Sequence, residues 1–70
     1  MYITDCGRKF YTFKEKQPSS GTKIIVHTIS NEVIYVKYID VNGIDYFSNI
    51  DFEGSTDIDE IKGWNYWNAH

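Results

Sequence analysis

The dipeptide Asn42-Gly43 constrains this chain more than any other feature. Asn followed by Gly suits the two positive φ angles of a type I′ turn, whose twist matches that of two antiparallel strands joined tightly. Residues 33 to 41 and 44 to 50 are therefore expected to form a hairpin. In the first arm Ile34, Val36 and Tyr38 alternate with Tyr35, Lys37 and Ile39, the period of two of a strand with one face on a core. Ile34, Val36 and Tyr38 are predicted to point inward. The second arm sets Ile44, Tyr46 and Ser48 against Asp45, Phe47 and Asn49, a pattern that leaves its inward face open.

Upstream, Lys23-Ile24-Ile25-Val26-His27-Thr28-Ile29 is β-branched, short, and bounded by Ser19-Ser20-Gly21 and Ser30-Asn31-Glu32, which predicts a central strand antiparallel to the next. Arg8 to Phe13 alternates well enough for another strand, with Tyr11 and Phe13 competing with Phe10 and Thr12 for the inner face. Asp5-Cys6-Gly7 would turn it back onto Met1 to Thr4. Lys14 to Gly21, which holds the single proline Pro18, reads as a polar loop. Near the other end, Asp57 and Glu60 are spaced as a capping pair for one helical turn. Gly63 should end that turn, and Gly63-Trp64-Asn65-Tyr66-Trp67 should make a last short strand.

These elements predict a single mostly β domain over residues 1–70. The expected fold is a small antiparallel five- or six-stranded curled sheet or SH3-like barrel, with one short helical turn near 57–61. Length sharpens the point. A chain of 70 residues buries only about 60% of its unfolded surface, and a core of that size supplies roughly 3–5 kcal/mol unless disulfides, metal, self-association or aromatic packing add to it. The single cysteine, Cys6, makes no internal disulfide. Aromatic residues make up 17% of the chain, and each ring can bury about 150–250 Å², so aromatic packing or association between copies is the expected compensation.

The residues carry no pattern of catalysis. Cys6 has only His27 and His70 as candidate bases, outside any nucleophile motif. The acids lack the spacing and glycine of a calcium loop, and no Cys and His set has zinc spacing. Neither cofactor nor metal is expected. No apolar run reaches the ~20 residues of a membrane span, and the first residues lack the charged and apolar regions of a signal peptide. No membrane partner is expected, and the expected location is the cytoplasm.

Charge points to binding. The net charge of −3 argues against nucleic acid as a direct partner. The sign is unevenly distributed: residues 1 to 37 hold Arg8, Lys9, Lys14, Lys16, Lys23 and Lys37 against Asp5, Glu15 and Glu32, whereas the rest holds Lys62 against seven acids. Asp51, Glu53, Asp57, Asp59 and Glu60 therefore form the first candidate surface, one that would offer carboxylates where a basic groove expects phosphates. The plain alternative is a solvated loop that keeps a small protein soluble. Tyr66 and Trp67 are added as contact residues, since Trp and Tyr dominate interface energetics, while Trp64 is expected in the core.

From Pro18 onward the order of motifs is a Pro-x-x-Gly turn (Pro18, Gly21), the strand Ile24-Ile25-Val26, a strand through Tyr38, and a closing Ile-x-x-Trp at Ile61 and Trp64. Over about fifty residues this resembles a family of short phage and prophage proteins, though the proline-rich ending common among them is lacking. The resemblance implies a phage accessory protein acting in the host cytoplasm by occupying a host protein, as anti-CRISPR inhibitors of bacterial immunity do. It supplies no binding residues.

Three functions follow as expectations. The first is an inhibitor that covers the basic, nucleic-acid-binding surface of a host defence protein with its acidic segment. The second is a homo-oligomeric trap for a small signalling nucleotide, with Arg8, Lys9 and Lys23 on the phosphates and rings stacked on bases. The third is a structural subunit whose basic first half meets the acidic second half of another copy.

Overall fold

The computed structural model describes residues 1–67. It is mostly β: strands β1 (Tyr2–Ile3), β2 (Lys9–Phe10), β3 (Lys23–Thr28), β4 (Val33–Val41), β5 (Ile44–Asn49), β6 (Ser55–Thr56) and β7 (Ile61–Tyr66), with a 3₁₀ turn over Ile58–Glu60 before β7. β1 and β2 form a small antiparallel pair, and the others form an antiparallel sheet in the order β6-β5-β4-β3-β7.

The hairpin forms where Asn42-Gly43 places it. Both residues take positive φ, 52° and 81°, and Val41 faces Ile44 across the turn. Val36 and Tyr38 are buried, and Ile34 packs against them. The open question in β5 is decided by register. Phe47 pairs with Tyr38 and lies 1% exposed, so Asp45, Phe47 and Asn49 share the inward face and Ile44, Tyr46 and Ser48 the outward one.

β3 is an interior strand, with β4 on one side and β7 on the other, although β4 holds the middle of the sheet. Ile24 and Val26 enter the main core beside Val36, Tyr38, Phe47, Ile61 and Trp64. Its other face is covered too. Phe10 is fully buried and stacks on His27 with ring centroids 5.0 Å apart, so the β1–β2 pair closes a second, smaller core across β3 and β7. The long strand expected from Arg8 to Phe13 is reduced to Lys9–Phe10 and a bridge from Tyr11 to Trp64. Phe10 thus faces the small core while Tyr11 and Phe13 reach the main one, where Phe13 meets Phe47 edge-on.

The sheet is curled but not closed, so the open form of the expected architecture is the one adopted. Geometry requires the curl. β6 and β7 lie four positions apart, about 19 Å in a flat sheet, yet Asp57 to Glu60 alone join them. Five residue steps span at most about 17 Å, and the 3₁₀ turn shortens that reach.

Two local expectations change. The helical turn is present, but the Asp57 side chain does not cap it; instead the Glu60 amide donates to the Asp57 carbonyl at 2.9 Å. The turn is too short for a reciprocal capping box. Gly63 does not end it either, because β7 already begins at Ile61. Gly63 lies within β7 because Tyr2 and the Tyr11 carbonyl pass directly over it: a Cβ there would meet each at 2.7 Å. Among the described residues no helix is long and apolar enough to cross a membrane.

Candidate functional surfaces

Register brings the β3–β4 turn, the β5–β6 loop and the start of β7 to one end of the sheet, since His27 faces Val33, Asn49 faces Val36 and Ile61 faces Thr28. Asp51 and Glu53 sit in the β5–β6 loop, and Asp57, Asp59 and Glu60 in and before the 3₁₀ turn; all five are exposed. Their apolar neighbours are exposed as well: Ile50, Phe52 and Ile58 are 39%, 55% and 42% exposed. Exposed apolar side chains thus alternate with carboxylates at this end of the sheet. Glu32, which sequence reasoning did not include, also belongs here: it lines a shallow cleft with Thr28, Ile29, Ser30, Ile34 and Glu60. Only the strand register shows that adjacency.

Tyr66 and Trp67 are not part of that end. Tyr66 faces Ile24 at the opposite end of β3, where it is exposed and meets the buried Trp64 edge-on at 5.1 Å. Lys16 Nζ lies 5.0 Å from the centroids of both Tyr11 and Tyr66, and a hydrogen bond with Tyr66 raises its pKa from the ordinary lysine value. Trp67 is half-buried, with Tyr35 edge-on at 5.5 Å and Lys23 Nζ 5.1 Å from its ring. These rings hold lysines of their own chain.

Arg8, Lys9 and Lys23 are also apart. Arg8 lines a cleft with His27 and Val33, whereas Lys23 lies at the far end of β3, four residues and about 13 Å from His27. The Lys9 carbonyl accepts from Asn65 Nδ2 at 2.8 Å, which ties β2 to β7. Arg8 and Lys23 thus lie toward opposite ends of β3.

His27 is buried and fully satisfied. Asn31 Oδ1 lies 2.7 Å from Nε2, and the Tyr2 hydroxyl lies 2.7 Å from Nδ1. With a carbonyl oxygen opposite Nε2, that nitrogen carries the proton, and Nδ1 accepts from Tyr2. Burial raises the Tyr2 phenol pKa above its ordinary value. Cys6 is exposed in the β1–β2 turn, and His70 lies outside the described residues. Among the described residues no group of three or more His, Cys, Asp or Glu side chains is arranged to hold a metal ion.

No family model, curated protein or solved structure matches the chain.

Proposed function

We propose that this chain is a non-catalytic protein-binding module that covers a basic, nucleic-acid-binding surface of its partner with the acidic and apolar end of its sheet. The observation that carries the reading is the interleaving of Ile50, Phe52 and Ile58 with Asp51, Glu53, Asp57, Asp59 and Glu60, all exposed. Carboxylates steer the chain to a basic surface and fix its orientation. The apolar side chains supply the water-excluding contacts that charge alone does not. The resemblance to short phage proteins suggests a host defence protein as that partner and the bacterial cytoplasm as the setting.

The test uses the tagged chain to capture its partner from bacterial lysate, followed by competition with nucleic acid on the purified complex. The expected result is a nucleic-acid-binding protein whose nucleic acid is displaced by the chain. A variant with Asp51, Glu53, Asp57 and Asp59 all changed to Lys should fold and lose capture. Undiminished capture by that folded variant would refute the proposal.

A further inference from the structure

The β1–β2 pair covers the reverse of the sheet only over β3 and β7, where Phe10 and His27 are buried. Over β4 and β5 that face is bare. Register places Val41 beside Ile44 and Ile39 beside Tyr46 there, and Val41, Ile44 and Tyr46 are 47%, 57% and 49% exposed. Two adjoining rows of apolar side chains form a continuous patch, unlike the scattered surface residues that need no explanation.

Next to this patch Lys37 faces Lys23 across β4 and β3. The flanking hydrogen bonds fix the type of the pairing. The Tyr38 amide donates to the Thr22 carbonyl and the Thr28 amide to the Glu32 carbonyl, each at 2.9 Å. By alternation along the strands, Lys23 and Lys37 form a non-hydrogen-bonded pair, the closer kind, with Cα atoms about 4.5 Å apart and both side chains on the bare face. Like charges directly opposite each other destabilise a sheet. Both lysines are exposed, and neither forms an ion pair among the described residues. Lys23 Nζ lies 5.1 Å from the centre of the Trp67 ring, a contact that leaves its charge in place. The acids of the hairpin, Asp40 and Asp45, lie on the other face with Tyr38.

The chemistry that would satisfy this face exists elsewhere in the same chain. Ile50, Asp51, Phe52 and Glu53 alternate apolar and acidic side chains along the β5–β6 loop, all exposed. Val41 and Ile44 lie five residues, about 17 Å, along the strands from the Val36–Asn49 row beside which that loop begins. The loop does not cover its own patch.

We infer that the bare β4–β5 face takes the β5–β6 loop of a second copy, with Phe52 on the apolar patch and Asp51 and Glu53 on Lys23 and Lys37. The contact is head to tail, so each assembly keeps a free face and a free loop unless a ring closes. It engages the loop that the proposed function gives to a partner but does not rest on that function, because every residue it needs belongs to this chain.

Sedimentation of the purified chain over a range of concentrations, at low and at high salt, tests it. A mass above the 8.2 kDa of one chain is expected, rising with concentration and falling with salt. Lys23→Glu with Lys37→Glu, and Asp51→Lys with Glu53→Lys, should each weaken association about tenfold or more. Mixed in equal amounts, the two variants should associate again, because the acidic loop of the first meets the lysines of the second and the basic loop of the second meets the glutamates of the first. Such rescue excludes misfolding as the cause of either loss. Lys9→Glu with Lys14→Glu makes the same change in net charge away from the face and should associate as the parent does. The Lys23 and Lys37 variant keeps its acidic loop and should still capture the partner of the proposed function, so a failure of self-association leaves that reading standing. A parent chain that stays at 8.2 kDa up to about 1 mM, or a mixture that stays monomeric, would overturn the inference. So would association lost in the Lys23 and Lys37 variant but kept in the Asp51 and Glu53 variant, which would mean that two bare faces pair with each other.

Discussion

Replacing Gly63 with Ala adds one methyl group where the two cores meet. Its carbon would lie 2.7 Å from the Tyr11 carbonyl oxygen, 2.7 Å from Tyr2 Oη and 2.8 Å from Tyr2 Cε1. The carbonyl is poorly placed to yield, because Tyr11 and Trp64 exchange two backbone hydrogen bonds, of 2.7 and 2.9 Å. Tyr2 must move instead. That movement breaks its bond to His27 and shifts the ring from its contact with Phe10, 5.8 Å away. Overpacking of this kind costs about 1–3 kcal/mol, and the lost hydrogen bond about 1 kcal/mol more. Against the roughly 3–5 kcal/mol available to so small a core, Gly63→Ala should remove about half the stability or more. Urea unfolding followed by the fluorescence of the buried Trp64 measures it. Tyr2→Ala in the same chain relieves the ring clash but not the carbonyl clash, so the double variant should be less destabilised than the two single losses together. A Gly63→Ala chain within about 0.5 kcal/mol of the parent, the ordinary range of neutral substitutions, would show that Tyr2 and Tyr11 are not seated over β7.

Other outcomes follow from single side chains. Tyr38 donates to Asp45 Oδ1 at 2.6 Å, and burial, with the Asp45 hydrogen bond second, pushes its pKa up to about 12. A folded pKa above the unfolded value of about 10 means that the Tyr38 contribution is fully present below that pH and is lost as pH rises toward 12. Alkaline unfolding should therefore steepen over this interval, and Tyr38→Phe should flatten it; an unchanged alkaline profile would remove the assignment. Gly43→Ala forces a Cβ into φ of +81° and should destabilise the hairpin by about 1 kcal/mol, read as a lower urea midpoint with unchanged slope. An unshifted midpoint would contradict the turn geometry.

The part of the fold legible in the sequence is the part fixed by neighbours. Asn42-Gly43 dictates its own turn, and the alternation of Ile34, Val36 and Tyr38 gives the inward face of β4 without reference to anything distant. β3 is read as an interior strand for the same reason, from a β-branched run. What escapes such reading depends on residues far along the chain. The burial of His27 and Phe10 on the reverse of β3 requires β1 and β2, and the constraint on Gly63 comes from Tyr2 and Tyr11. The candidate surface was legible as a run of acids. That Glu32 joins it, and that Tyr66 and Trp67 stand at the opposite end of β3, follows only from register.

The small core across β3 and β7 joins the beginning of the chain to its last described strand: Tyr11 pairs with Trp64, and Asn65 reaches the Lys9 carbonyl. On the ribosome, residues are made in order, so Tyr2 and Phe10 emerge long before the backbone that covers them exists. The β3–β4–β5 meander rests on contacts between close neighbours, whereas joining β1 and β2 to β7 closes a loop of about fifty residues.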